Sequence, residues 1–257
     1  MRYIIFGSFT GVPRRRRGKP AAGTALLPVG RVALYDLGRP HRTGVPEVIL
    51  GEGKRVADLE LLLTALARAG RAAFVSRLTA GQRRAVDRWV RDGVLPLRRP
   101  AGGEYAILAG RPVDGFARGR VAIVTAGTSD VTLAEEAKAL LESCGVTVDL
   151  AVDVGVAGLH RLTRAAARLE RAGPRVYLAF AGREGALPTV LAGLVRAPVV
   201  GVPTSTGYGR GGRGEAALSA MLQSCAPIAV VNIDGAVPAA LFALQLLAGD
   251  RRVPHRR

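Results

Sequence analysis

From residue 120 onward, short unbroken apolar runs alternate with stretches in which apolar positions recur every three or four residues. The runs RVAIVTAG, VTVDLAVD, RVYLAFAG, PVVGVPT and IAVVNID read as strands. VTLAEEAKALLESCG, AGLHRLTRAAARLERAG, GALPTVLAGLV, EAALSAMLQSC and PAALFALQLLAG read as the helices that follow them. A strand that is apolar at consecutive positions is covered on both faces. Five βα units in succession therefore predict an α/β fold with a doubly wound parallel sheet. Such sheets bind ligands beyond the carboxyl ends of their strands. Here that edge carries TAGTSD, DVGVAG, AGREGALP, PTSTGYGRGG and NID, where glycines and polar residues concentrate.

Upstream, residues 46 to about 110 predict a smaller α/β unit. PEVILG, AAFVSRL and EYAILAG read as strands. RVADLELLLTALARAG places Leu59, Leu62, Leu63 and Leu66 at helical spacing and ends at Gly70. TAGQRRAVDRWVRDG opens on Thr79 as a helix N-cap and closes on Gly93. Residues 1–40, rich in Pro, Gly and Arg without a sustained period, are expected to form a poorly ordered lead. The expected division is that lead, a small N-terminal domain over 41–118, a parallel α/β catalytic domain over 119–249, and a basic tail over 250–257.

Composition narrows the classes. With 257 residues, 49% of them hydrophobic, the chain can bury a core without covalent staples. Cys144 and Cys225 make no disulfide framework, and no Cys/His cluster has zinc spacing. A reducing, cytoplasmic setting is expected. No apolar run reaches the roughly 18–20 residues that span a membrane. At the start, arginines follow the short apolar piece instead of preceding it, unlike a signal peptide. The net charge of +17 points first to nucleic acid. Yet it is nearly all arginine, the only lysines being Lys19, Lys54 and Lys138, and it is scattered. Aromatic residues, at 5%, are too few for a base-stacking platform. A nucleotide-sized anion fits as well as a polymer.

Each polar segment admits two readings. Gly127, Thr128 and Ser129 can offer amides and hydroxyls to a phosphate at a helix N-terminus, or Ser129 and Asp130 can simply cap that helix. The loop with Ser205, Tyr208 and Gly209 can fold over phosphates or lie solvated. Glu184, beside Gly182 and Arg183, can act as a general acid or base, or complement a helix dipole. Asp153, His160 and Arg161 come from the second corner, where a lone histidine is more often structural. Asn232 and Asp234 end the last strand, where capping competes with binding. Cys225 falls at the end of a helix, where the dipole disfavours a thiolate. Its sequence context reads as a buried structural cysteine, with a nucleophile as the alternative. Cys144 reads as structural.

Taken together, VAIVTAGTSD, AEEA, DVGVAGLHRL, AGREGALPTVLAGLV, VGVPTSTGYG and MLQSCAP…AVVNID, with HRTGVPEVILGEGK upstream, resemble the pyridinium-3,5-biscarboxylic acid mononucleotide synthase (LarB) family. That family is related to the aminoimidazole ribonucleotide carboxylases and mutases. The resemblance covers about residues 35–248. It implies carboxylation of nicotinic acid adenine dinucleotide at C5 by CO2, and hydrolysis of its phosphoanhydride to release AMP. It also implies magnesium and a homo-oligomer (an octamer in the family), while the composition and apolar runs already lead us to expect no nucleic-acid or membrane partner.

The resemblance places the nucleophilic thiol at Cys225. Glu184 is the favoured base for the C5 proton, with Asp130 and His160 as alternatives. Thr128, Ser129, Ser205 and Tyr208 are expected to hold phosphate or carboxylate, and Arg161 and Arg183 to neutralise anionic groups. Asp130, Asp153 and Asp234 are the carboxylates near which magnesium is expected. Two segments depart from the family pattern: Gly235–Pro238 replaces Asn-Gly-Phe-Gly, and Arg183 replaces methionine. A ribonucleotide carboxylase or mutase is the rival enzyme, although GVAGLHRL differs from its Ser-Ala-His-Arg type signature. A nucleotide-binding module without catalysis is the rival from another class.

Overall fold

A computed structural model describes residues 25–111, 119–207 and 209–248. Most of the expected irregular lead, the basic tail and Tyr208 lie outside the described residues. The remainder of the lead departs from expectation. Strands β1 (Leu26–Val29) and β2 (Ala33–Asp36) form an antiparallel hairpin, followed by the short helix α1 (Arg39–Thr43). Alternation explains it: Val29 and Tyr35 turn inward to a core shared with Leu59, Leu63 and Trp89. Two four-residue strands are too short for that period to stand out among arginines and prolines.

The N-terminal unit continues with β3 (Val48–Leu50), α2 (Val56–Arg68), β4 (Ala73–Ser76), α3 (Ala80–Arg91), β5 (Leu97–Arg98) and β6 (Ala106–Leu108). Its sheet order is β3-β4-β6-β5, with β3 and β4 parallel and the other pairs antiparallel. Helix α2 buries Leu59, Leu62, Leu63 and Leu66, the positions its spacing predicts. Helix α3 starts at a capping box between Thr79 and Gln82.

The larger unit holds β7 (Arg120–Thr125), α4 (Val131–Ser143), β8 (Thr147–Ala151), α5 (Leu159–Ala172), β9 (Val176–Ala181), α6 (Ala186–Ala192), β10 (Val199–Pro203), α7 (Glu215–Leu222), β11 (Ile228–Val230) and α8 (Ala236–Ala248). Its five strands are all parallel, in the order β11-β10-β9-β7-β8. The unbroken apolar runs are explained by burial on both faces. Val121 and Ile123 of β7 pack with Leu140 of α4 and Leu244 of α8. Ala122 and Val124 pack with Leu162 of α5 and Leu191 of α6. The doubly wound sheet and the smaller N-terminal α/β unit are both as expected.

The two units share a core. Phe74 and Tyr105, stacked with centroids 5.4 Å apart, join the cluster that contains Leu140 and Leu244. The Ser76 hydroxyl crosses the same interface to donate to Glu136 Oε1 at 2.7 Å. Helix α7 stops at Leu222, short of the expected Cys225. The reason is local: the Ser224 hydroxyl accepts from the Ala226 amide at 3.1 Å, and Pro227 restricts the residue before it.

Candidate active site

The strand order sets where a ligand can enter. The chain leaves β7 for β8 on one side, then returns to β9 on the other, so the order reverses between β7 and β9. Loops leaving those two strands diverge and open a crevice at the carboxyl edge. A cavity of about 380 Å³ lies there, bordered by Gly127, Ser129, Asp130, Gly182, Arg183 and Glu184.

Asp130 fastens this crevice. It is 3% exposed. Its Oδ1 accepts from the hydroxyls of Thr204 (2.6 Å) and Thr206 (2.8 Å), and its Oδ2 accepts from the Gly127 amide (2.9 Å). One carboxylate thus joins the loop after β7 to the loop after β10. Gly182 makes that closeness possible, because a Cβ there would stand 2.0 Å from the Thr206 carbonyl oxygen. The Thr204 and Thr206 hydroxyls are also 2.7 Å apart. These donors occupy both carboxylate oxygens, so the geometry suits Asp130 to positioning more than to taking a proton.

Glu184 and Arg183 are exposed and border the crevice, and Ser129 does the same from the other side. Ser205 and Asp234 are joined through the Ser205 amide and Asp234 Oδ1 at 2.8 Å. They border a second, adjacent space together with Ser129. Asp153 pairs with Arg161 at the β8 corner, neither of them bordering either space, and Arg161 lies over Gly158. His160 and Thr128 are exposed and border neither space. Gly209 is exposed in the following loop, and Asn232 spends its side-chain oxygen on the Ile233 amide at 2.8 Å.

Cys225 requires two corrections. It is exposed, not buried. It also precedes β11, whose Ile228 is level with Val199 at the amino end of β10. The thiol therefore sits at the opposite edge of the sheet from the crevice, about 15 Å away along the strand direction. Cys144 is buried as expected, and burial pushes its thiol up to about 12.

The second space, about 660 Å³, lies between the two units. Glu136, in the second turn of α4, faces it while 8% exposed. Burial raises its carboxyl above the usual range, opposed by the Ser76 hydrogen bond and the nearby Arg77. Among the described residues, no three His, Cys, Asp or Glu side chains gather in a way that could hold a metal ion. The expected carboxylates are engaged elsewhere: Asp130 with Thr204 and Thr206, Asp153 with Arg161, Asp234 with Ser205. They do not fit a cage for magnesium.

Sequence reading missed Thr204, Thr206, Ser76, Arg77 and Glu136. Both threonines were visible in PTSTGYG, but which hydroxyl turns inward depends on where β10 ends. Glu136 lay within AEEA, and its burial follows only from docking of the N-terminal unit.

Comparison with known proteins gives two family matches. The AIR carboxylase model matches residues 120–256, and the LarB/PurE-like N-terminal domain model matches residues 28–95. An uncharacterized protein of Methanocaldococcus jannaschii is 39% identical over 212 residues, 81% of each chain. An N5-carboxyaminoimidazole ribonucleotide mutase of Pyrococcus abyssi is 35% identical over 131 residues, 50% of this chain and 74% of its own. The mutase of the same name from Thermotoga maritima is 28% identical over 128 residues, 50% of this chain and 74% of its own.

Proposed function

The chain belongs to the AIR carboxylase family, and from that premise we propose that it carboxylates a pyridinium dinucleotide. The reaction is addition of CO2 at C5 of nicotinic acid adenine dinucleotide and hydrolysis of its phosphoanhydride. The products are pyridinium-3,5-biscarboxylic acid mononucleotide, on the way to a nickel-pincer cofactor, and AMP. The observation that carries this reading is the LarB/PurE-like N-terminal unit docked on the sheet, which adds a second cavity beside the crevice. The mutases match about half of this chain, whereas the M. jannaschii protein matches 81%.

A pyridinium ring is electron-poor and does not attack CO2. In the proposed mechanism, the Cys225 thiolate adds to a ring carbon beside or across from the nitrogen. The C–S bond forms and an electron pair moves onto the nitrogen, leaving an enamine that is nucleophilic at C5. C5 then bonds to CO2, Glu184 takes the C5 proton, and the electrons left at C5 expel the thiolate and restore the aromatic ring. The cationic ring stabilises the thiolate while bound. Arg183 offsets the nicotinate carboxylate, and Asp130 keeps the Thr204–Thr206 loop closed on the crevice. A magnesium requirement would rest on the substrate's diphosphate. Because Cys225 and Glu184 lie at opposite sheet edges, the thiol is supplied by another copy in a homo-oligomer.

Mass spectrometry of protein incubated with nicotinic acid adenine dinucleotide, magnesium and CO2, beside Cys225→Ala, tests this. AMP and a dicarboxylated mononucleotide should form with the native chain and not with the variant. If the dinucleotide binds and returns unchanged, the proposal fails. The relatives' own reaction, favoured by 35% identity to the P. abyssi mutase, replaces it if N5-carboxyaminoimidazole ribonucleotide is converted instead.

A further inference from the structure

The amino edge of the sheet, where Cys225 stands, has a cavity of its own. An open basin of about 600 Å³ lies between the entries to β9 and β10, lined by Glu170, Arg171, Gly173, Pro174, Arg196 and Ala197. Its volume falls within the range, roughly 300–1,000 Å³, of small-molecule sites. Two elements supply its cations: Arg171 comes from the last turn of α5, and Arg196 from the turn between α6 and β10. Both are exposed, and among the described residues neither has an ion-pair or hydrogen-bond partner. Other arginines of the same unit are neutralised, Arg120 by Asp149 and Arg161 by Asp153. Glu170, the acid in the lining, is engaged: its Oε1 accepts from the Tyr177 hydroxyl at 2.7 Å. Two guanidinium groups facing one space repel each other, and an anion between them replaces that repulsion with attraction. The planar fork of each matches a pair of phosphate oxygens.

Strand register relates this basin to the thiol. Ile228 of β11 is level with Val199 of β10, and three residues before them stand Cys225 and Arg196. These two residues therefore precede neighbouring strands, which run about 5 Å apart, by the same interval. Val199 is level in turn with Tyr177 of β9, and three residues before Tyr177 stands Pro174, within the basin lining. The thiol corner is also fastened to the element that carries Arg196. The Thr189 hydroxyl of α6 donates to Ser224 Oγ at 2.8 Å, and α6 leads directly into the Arg196 turn. Basin and thiol are thus parts of one rigid edge.

We propose that this basin binds the phosphate of a small ligand, a free diphosphate or the phosphate end of a nucleotide, and that its occupancy sets the charge met by any reagent approaching Cys225. Arg171 and Arg196 hold the phosphate from two sides. Empty, the basin draws anions toward the thiol; filled, it no longer does. The site stands on this chain's own arginines and does not depend on which reaction the crevice performs.

Alkylation of the full chain by iodoacetate and by neutral iodoacetamide, at fixed ionic strength, tests the proposal. Cys144 is buried, so modification of the Cys225 peptide, read by mass spectrometry, reports the exposed thiol. The rate ratio of the charged to the neutral reagent should fall by about threefold in Arg196→Gln and in Arg171→Gln, since each removes a nearby cation. Inorganic pyrophosphate should lower the same ratio saturably in the native chain and leave it unchanged in both variants. Arg164→Gln, which removes an equal charge from an exposed position two turns earlier on α5, should behave as the native chain does. Nicotinic acid mononucleotide and its riboside distinguish the sources. If the mononucleotide acts like pyrophosphate and the riboside does not, a nucleotide phosphate fills the basin; if pyrophosphate alone acts, a free phosphate does. The proposal is overturned if pyrophosphate does no more than sodium chloride of equal ionic strength, if either basin variant responds like the native chain, or if Arg164→Gln loses the response as well. Turnover enters none of these readouts, so failure of the pyridinium reading and failure of this site are told apart.

Discussion

The crevice at Asp130 and the corner at Cys225 are opposite ends of one sheet, and they are built differently. At the carboxyl end, a buried carboxylate takes three hydrogen bonds and ties two loops together. At the amino end, an exposed thiol follows a helix stopped by Ser224 and Pro227. The first arrangement makes a shape, and the second leaves a thiol open to solvent. The proposed mechanism uses both ends, and one chain does not bring them together.

The largest expected effect separates chemistry from folding. Cys225→Ala should lower turnover by about a thousandfold or more while changing stability by no more than about 0.5 kcal/mol, because the side chain is exposed. Full turnover in this variant would remove the thiol from the mechanism. A mixing experiment sharpens the point. Cys225→Ala and Glu184→Gln should each be inactive alone, and co-assembled one to one they should regain about a quarter of native activity, since each site draws on two copies. Absence of any recovery in verified mixed assemblies would place both groups within one chain's reach.

Asp130→Ala reverses the pattern. Removing the carboxylate strands the Thr204 hydroxyl, wholly buried, together with its neighbours. It should cost roughly 3 kcal/mol in urea unfolding and abolish substrate binding. An unchanged midpoint would show that the loops hold without it.

The smallest effect concerns Glu136 and depends on pH. Burial raises its folded-state pKa, so it contributes stability in acid that is lost as pH rises through that pKa. Glu136→Gln, which does not ionise, should therefore gain on the native chain at alkaline pH, and the gain should shrink toward the acid range. Parallel unfolding curves at all pH values would contradict the burial-driven shift.

Much of the larger unit was legible because its signals are local. Val121–Val124 are apolar at consecutive positions, so they need cover on two faces, and the structure provides α4 and α8 on one and α5 and α6 on the other. The crevice glycines and Glu184 were legible because strand ends in a parallel sheet share one edge. The hairpin at residues 26–36 was not, since each strand has only four residues.

The sequence by itself determined the alternation of strands and helices, the parallel sheet and the set of polar loops, because each follows from spacing along the chain. Strand order, the inward turn of the Thr204 and Thr206 hydroxyls, the cleft between the units and the placement of Cys225 were decided only in three dimensions. Those depend on which surfaces meet across long stretches of chain. Residues 76 and 136 share a hydrogen bond, while residues 184 and 225, closer in sequence, stand at opposite edges of the same sheet.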